Sequence, residues 1–307
     1  METVSVVIVT YKRNYSIVRN AILSVLAQSY DSLEIVVVDD NDEQSVSGEI
    51  ERGLHEFDGR VKYICYKGNR GACFARNYGA ENTSGKYIAF LDDDDVWYPN
   101  KIERQVNFLN SENCDLVGCD ACHVTIAKDG SYIKRVEKKR YDHSIVDYQD
   151  LLSRNIPGGC SYPLMLRESF NKAGRFKEQL PASQDYDLWL RIGLIGKIGH
   201  INECLLDYNI YLFDRISGNV QKKITSYNYL IENYSCYAKD KALFISEKYV
   251  ALSRLCFDKL QMKLGFKYAF LSVIKKCSIS TIKRMIITIG FGLKRRFVDQ
   301  KRCRNLE

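Results

Sequence analysis

The 307-residue chain has only four histidines, His55, His123, His143 and His200, and no two of them stand at ligand spacing. A histidine-based metal site or catalytic dyad is therefore not expected. No G-x-G-x-x-G follows the first strand-like segment, which removes the main support for dinucleotide binding and hydride transfer. No G-x-x-x-x-G-K-[ST] occurs, which argues against a P-loop kinase or ATPase, and no G-x-S-x-G supplies a nucleophile elbow. The eleven cysteines are scattered and odd in number. Cys119 and Cys122 have C-x-x-C spacing, but without a second pair or a thioredoxin-like context. Reduced cysteines of a cytoplasmic protein are expected, not a zinc or redox centre. Met1-Glu2-Thr3 runs straight into Val4–Val9 with no basic leader, so no secretory signal is expected. The longest apolar run near the C-terminus, Met285 to Leu293, is too short to span a bilayer.

What the chain does have is charge, unevenly placed. Its net charge is +7, yet residues 220–307 carry 19 Lys/Arg against 6 Asp/Glu, a net of +13, which leaves −6 for residues 1–219. Such an asymmetry bears on partners more than on fold. An apolar content of 46% supports an ordinary globular core.

The pattern along the chain is α/β. Residues 4–9 (VSVVIV) read as a buried strand, 16–28 as a helix and 33–38 (LEIVVV) as a second strand, which together make a βαβ unit. A helix over 43–58, a short strand at 61–64, a helix from Ala72 and a strand at 87–91 follow. Three strand ends then converge, at Thr10/Tyr11, Asp39/Asp40 and Asp92–Asp95. In such sheets ligands bind beyond the carboxyl ends of the strands. A helix over 99–110, a strand at 116–120, a hairpin around Asp129-Gly130, a loop at 155–160, a helix from Gln184 and a strand at 205–211 complete this part. Residues after 220 read as mostly helical.

The run Asp92-Asp93-Asp94-Asp95 ends the strand Tyr87–Leu91. Four adjacent carboxylates at a buried strand end repel one another unless something positive sits there. A hard divalent cation, which can in turn hold a diphosphate, is one solution, and a solvated acidic turn is the other. Asp92 and Asp94 can share a metal, with Asp93 pointing away or supporting the turn. Asp39 is placed either to accept hydrogen bonds from a base or ribose, or to cap a turn. Asp185, near a helix N-terminus, suits a general base outside the metal shell, or a helix cap.

The stretches VSVVIVTYKR, VVVDDNDE and GACFARNYGAENTSGKYIAFLDDDDVWYP, followed by IPGG, the segment Phe170–Phe176 and QDYDLWLRIG, are similar in order and spacing to the inverting glycosyltransferases of family 2. The resemblance covers about residues 3–216. It implies an α/β fold of GT-A type: a single, mostly parallel, Rossmann-like nucleotide-binding sheet with helices on both faces, here with a helical C-terminal extension. It divides the chain into a donor half (1–115), an acceptor and catalytic-base half (116–219) and a basic helical region (220–307). Carried onto these residues, it makes Asp39 the uracil and ribose contact, with Thr10 and Tyr11 part of the same nucleotide wall. Asp92 and Asp94 become the D-x-D pair that holds Mn²⁺ or Mg²⁺, with Asp94 the more direct ligand and Asp92 nearer the ribose or diphosphate. Asp93 lies among the donor contacts or, with Asp95, shapes or solvates the turn. Asp185 becomes the base that deprotonates the acceptor hydroxyl. Arg76, in the A-R-N element, lies near the donor or in a structural ion pair. The base motif usually reads Glu-Asp and here reads Gln184-Asp185, which leaves the role of the preceding position open. The Q-x-x-R-W motif and the transmembrane helices of processive synthases are absent, so transfer of one sugar at a time is implied.

The implied donor is a nucleoside-diphosphate sugar, UDP-sugar by default. The implied acceptor is a hydroxyl of a glycan or lipid-linked oligosaccharide in cell-surface polysaccharide synthesis. A sugar-nucleotide-forming nucleotidyltransferase would show a G-x-G-T-R-L-like loop where this chain has Thr10-Tyr11-Lys12-Arg13-Asn14. A non-catalytic glycan-binding protein would be marked by loss of the aspartates, which are retained. Along residues 259–304, Ile279, Ile282, Met285, Ile286, Ile289, Leu293 and Phe297 fall near one helical face between basic clusters. That fits either an interfacial helix on an anionic membrane, peripheral to the inner face of the cell membrane, or a helix packed on the catalytic domain. No nucleic-acid module is present.

Overall fold

The computed structural model describes residues 1–41, 44–127, 131–139, 141–211 and 219–304. The Asp129-Gly130 turn and the stretch from Asp214 to Gly218 lie outside these. The chain forms two compact units, Met1–Gln179 with Gln184–Arg215, and Leu180–Ser183 with Ile216–Glu307.

The first unit is built on one nine-stranded sheet. Its first half is a parallel quartet in the order β3 (Val61–Cys65), β2 (Leu33–Asp39), β1 (Val4–Thr10), β4 (Tyr87–Asp92). The near-continuous Val/Ile runs of β1 and β2 suit strands covered on both faces, and six of the seven β1 residues are buried. Parallel neighbours need crossovers, supplied by α1 (Tyr15–Leu26), α2 (Gln44–Leu54) with a 3₁₀ turn at His55–Phe57, and α3 (Ala72–Glu81). α1 buries Val18, Ala21, Ile22 and Val25, a stripe at helical spacing. α3 lies so close to the sheet that a Cβ on Gly79 would come within 2.4 Å of Val7 and 2.8 Å of Val38.

Register places the candidate residues side by side. Thr10 pairs with Asp39 across β1/β2, and Val9 pairs with Asp92 across β1/β4. All three strand ends therefore open on one edge of the sheet.

The second half of the sheet is mixed. β8 (Leu164–Leu166) runs antiparallel between β4 and β6 (Leu116–Ile126), and β9 (Ile198–Tyr211) runs parallel to β6. β5 (Val96–Trp97) is antiparallel to β9, and β7 (Tyr132–Lys138) is antiparallel to β6. α4 (Lys101–Glu112), α5 (Tyr148–Ser153), α6 (Arg167–Lys172) and α7 (Gln184–Ile195) fill the connections. β6 and β9 both outrun the segments expected at 116–120 and 205–211. They carry a buried polar pair, His200 Nε2 to Asp120 Oδ1 at 3.0 Å, that interrupts the apolar pattern a strand is read from.

The second unit contains α8 (Val220–Tyr234), α9 (Lys241–Asp258), α10 (Met262–Lys275) and α11 (Ile279–Arg304). Asn219 caps α8 by accepting from the Lys222 N–H, and Asp240 caps α9 by accepting from the Leu243 N–H. Val220, Ile224, Leu252, Cys256 and Tyr268 form its core. α11 is turned against the usual rule. Thr281, Thr288 and Gly292 are buried, while Ile279, Ile282, Ile286, Ile287, Phe291 and Leu293 are exposed. Among the described residues no helix is long and apolar enough to cross a membrane.

Candidate active site

The aspartate run starts on the last residue of β4 and turns back into β5, closed by the Asp95 N–H donating to the Asp92 carbonyl at 3.1 Å. Exposure alternates along it. Asp92 and Asp94 are half-buried, Asp93 and Asp95 buried. β9 holds the loop, because the Asn209 N–H donates to Asp95 Oδ1 at 2.9 Å and its Nδ2 donates to the Asp94 carbonyl at 2.6 Å. The Asp92 N–H donates to Ser161 Oγ at 3.0 Å. Asp95 is thus held in the packing of the turn, and Asp93 is buried as well, so neither is solvated.

Each half-buried carboxylate faces a guanidinium. Arg76 Nη2 donates to Asp92 Oδ1 at 2.7 Å, and Arg13 Nη2 donates to Asp94 Oδ2 at 2.7 Å with its Nε 3.3 Å from Asp93 Oδ1. Two cations do not neutralise the run. Burial and the adjacent Asp94 push Asp93 up to about 7 against the pull of Arg13, and burial with Asp94 and Asp92 pushes Asp95 well above the usual carboxylate range. Asp95 Oδ2 is buried and forms no well-shaped hydrogen bond, although Ser161 lies close enough to lower the Asp95 pKa. Thr10 lies close enough to Asp93 to lower its pKa, yet its Oγ1 forms no well-shaped hydrogen bond. Oxygen-only donors, surplus negative charge and a poorly satisfied carboxylate oxygen fit a hard divalent cation.

The neighbouring strand end is more enclosed. Asp39 is fully buried. Its Oδ1 accepts from the Asn41 N–H (2.9 Å) and Nδ2 (2.6 Å), and its Oδ2 accepts from the Tyr63 hydroxyl (2.8 Å). Asp40 accepts from the Tyr66 hydroxyl, Asn69 Nδ2 and the N–H groups of Arg70 and Gly71, which anchors the loop that opens α3. Tyr11 is half-buried. After it the chain turns at Lys12, left-handed at φ 54, whose N–H donates to Asn41 Oδ1 at 2.6 Å.

Asp185 lies in the first turn of α7, half-buried, its Oδ2 accepting from Asn155 Nδ2 at 3.2 Å. Asn155 Oδ1 accepts in turn from the Gly158 N–H, and Trp189 Nε1 donates to the Gly158 carbonyl, so the Ile156–Gly159 loop and α7 are tied together. Gly158 sits at φ 94 with the Tyr162 ring against it, a place that only glycine fills without strain. Asp187, by contrast, is buried in an ion pair with Arg191.

The 155–161 loop joins the distant aspartates, since Asn155 donates to Asp185 and Ser161 accepts from the Asp92 N–H. The pKa of Tyr208 is raised by burial and then by Asp95, Asp92, Asp94 and Asp185 together. The buried Cys160 thiol is raised by burial, opposed by Arg76, and raised further by Asp92 and Asp185. The structure thus gathers Arg76, the aspartate run and Asp185, which are far apart in sequence. It also adds Arg13, Asn155, Ser161, Tyr208 and Asn209, which sequence reasoning did not single out. Arg13, Asn155, Tyr208 and Asn209 lie inside stretches already noted, but Tyr208 and Asn209 are brought to the site only by the pairing of β9 with β6.

Among the described residues, one set of His, Cys, Asp or Glu side chains has three ligand atoms within 4.8 Å of one another: Cys122, Glu137 and Cys204. The C-x-x-C spacing of Cys119 and Cys122 did not anticipate it. Cys119 Sγ lies 3.5 Å from the Tyr162 carbonyl, and Cys122 meets residues of other strands instead.

Residues 5–174 match the family model described as Glycosyl transferase family 2. An uncharacterized glycosyltransferase of Rickettsia conorii is 37% identical over 229 residues, covering 73% of this chain and 36% of the relative. A glycosyltransferase of Bacillus subtilis assigned to teichuronic acid biosynthesis, TuaG, is 30% identical over 224 residues, covering 71% of this chain and 83% of that one. The chain spans about a third of the length of the first Rickettsia relatives it matches. The crystal structure of S. aureus TarS 1–349 in complex with UDP-GlcNAc aligns over 94% of this chain and 89% of that one, with a TM-score of 0.61 at 14% identity, and so shares the fold. Because the family match takes in more than half of the chain, including all three strand ends that open on the cleft, the chain belongs to glycosyl transferase family 2.

Proposed function

We propose that this family 2 enzyme transfers a single hexose or N-acetylhexosamine, with inversion, from a UDP-sugar to a hydroxyl of a glycan or lipid-linked glycan precursor of a cell-surface polysaccharide. The observation that carries the reading is the 155–161 loop, which holds Asp185 through Asn155 at one end and meets the Asp92 N–H through Ser161 at the other. A carboxylate pair and a separate carboxylate base around one cleft suit a single displacement. Residues 1–115 would bind the donor, residues 116–219 the acceptor. The TarS complex with UDP-GlcNAc and the link of TuaG to teichuronic acid biosynthesis support the donor and acceptor classes.

In this reading Asp185 takes the acceptor hydroxyl proton while its orientation is fixed by Asn155. The acceptor oxygen forms a bond to the anomeric carbon as the bond to the diphosphate oxygen breaks, and the leaving electron pair stays on that oxygen. Asp92 and Asp94 would hold Mn²⁺ or Mg²⁺, which when bound supplies neutralising charge for the departing diphosphate. Arg13 and Arg76 hold these two carboxylates in place. Asp39, with Thr10 and Tyr11, forms the wall beside the nucleotide.

The second unit adds a proposed membrane contact. On α10, Phe266, Phe270 and Ile274 stand four residues apart and are all exposed, and α11 exposes Ile279, Ile282, Ile286, Ile287, Phe291 and Leu293. Together with the +13 charge of residues 220–307 this suits peripheral binding to an anionic leaflet.

The test of the chemistry is release of nucleoside diphosphate from UDP-, dTDP- and GDP-sugars with and without Mn²⁺ or Mg²⁺. Asp94→Ala should abolish turnover in a folded protein. Asp185→Asn should lower kcat by about 100- to 10,000-fold, with donor binding retained. Full turnover in Asp94→Ala would sink the proposal.

A further inference from the structure

We propose that Cys122, Glu137 and Cys204 form a second metal site, for a thiophilic divalent ion such as Zn²⁺, separate from the aspartate run. The three residues come from three neighbouring strands, and the pairing of those strands creates the cluster. Cys122 on β6 stands directly opposite Glu137 on β7. On the other flank β6 pairs with β9, where Asp120 is opposite Cys204 and Cys122 is opposite Asp207. A step of two residues along β6 thus matches a step of three along β9, a register irregularity that changes the direction of side chains along a strand. It is here that Cys204 comes to Cys122. The ligand atoms converge to within 4.8 Å of one another. Tetrahedral Zn–S bonds of about 2.3 Å put two sulfurs about 3.8 Å apart, so one ion can join the set with little movement.

Ligand type selects the metal. Two thiolates and one carboxylate favour Zn²⁺ over the hard ions that the all-oxygen aspartate run would take. Three protein ligands leave a fourth position for water. Binding releases the protons of the two thiols and forms one bond from each sulfur and one from Glu137 to the ion. The site would staple β6, β7 and β9 together. β9 is the strand whose Asn209 holds the aspartate loop, so the ion would stiffen the support of the donor site without touching it.

The experiment uses the full, reduced, metal-free chain titrated with Co²⁺ alone and then with Zn²⁺. One equivalent of Co²⁺ should give a thiolate-to-cobalt charge-transfer band, which an oxygen-only site cannot produce, and Zn²⁺ should abolish the band by displacement. Cys122→Ser and Cys204→Ser should lose the band, and Glu137→Gln, an exposed position, should weaken cobalt binding while keeping a native circular dichroism spectrum. Cys236→Ser, at an exposed cysteine elsewhere, should leave the band intact. Zn²⁺ should raise Tm in the wild type and not in the two serine variants. No band in the wild type, a band that survives both serine variants, or a Cys122–Cys204 disulfide in place of metal binding would overturn the site. None of these readouts depends on sugar transfer, so this proposal and the enzymatic one can fail separately.

Discussion

Lys101 is fully buried in α4, its Nζ 2.7 Å from Gln105 Oε1 and 4.0 Å from the centroid of the Trp97 ring. Burial draws its pKa down from 10.5 to about 8. Below pH 8 the ammonium is protonated in both folded and unfolded chains, and the folded state bears the full cost of burying it. Between pH 8 and 10.5 the unfolded chain holds the proton that the folded chain has released, so this residue's contribution to stability rises with pH. The shift corresponds to about 3 kcal/mol. Lys101→Met should therefore gain most over the wild type below pH 8, and the gap between the two should narrow toward pH 10.5. Urea unfolding of both proteins across that range measures it, and a gap that widens with pH would refute the assignment. Lys101 also marks the limit of reading single residues from sequence. Asp92, Asp94 and Asp185 stood out because clustered or helix-starting carboxylates are conspicuous in one dimension. A lone lysine in a helix reads as solvent-facing, and only the packing of α4 beneath Trp97 buries it. Arg13 and Tyr208 escaped notice for the same reason, since their neighbours arrive from other strands.

The elements of the parallel half were legible because each is a local pattern. Val/Ile runs give β1 and β2, and apolar spacing of three and four gives α1. β8 has three residues, too few to carry a period, and β6 and β9 extend through polar and glycine positions whose partners lie across the sheet. That is why the mixed half, and the cysteine cluster within it, could not be read from spacing. Close approach of elements makes a sharper test at Gly79. Alanine is the better helix former by about 1 kcal/mol, but here its Cβ would meet Val7 at 2.4 Å and Val38 at 2.8 Å. Overpacking of a close-packed core costs about 1–3 kcal/mol, so Gly79→Ala should destabilise the protein. Gly48 in α2 has nothing within 4 Å of its missing Cβ, so Gly48→Ala should stabilise by up to about 1 kcal/mol. Denaturant midpoints of the two variants should move in opposite directions. A shift of both to higher denaturant would show that α3 can retreat from the sheet.

Across the whole molecule, acidic and basic character separate along the chain, −6 over residues 1–219 and +13 beyond. The carboxylate cleft lies in the first part and the exposed aliphatics of α10 and α11 in the second. Sequence alone allowed the apolar face of α11 to point either into the protein or out of it. Thr281, Thr288 and Gly292 are buried, with Gly292 against Phe257, while Ile279, Ile282, Ile286 and Leu293 of that face are exposed. Water gains nothing from such a surface, whereas a membrane interface takes up both its aliphatic side chains and the surrounding lysines and arginines. The full chain should cosediment with vesicles containing phosphatidylglycerol and bind neutral phosphatidylcholine vesicles far less. Raising the salt should weaken the anionic binding, since each basic residue near the surface contributes about 1 kcal/mol that salt screens. Phe270 is 64% exposed, so its replacement should leave the fold intact. Phe270→Ser removes an anchor worth about 1.5–3 kcal/mol on full burial and should cut partitioning about tenfold or more. Equal sedimentation with both kinds of vesicle and with neither variant nor salt having an effect would mean that this face serves another partner.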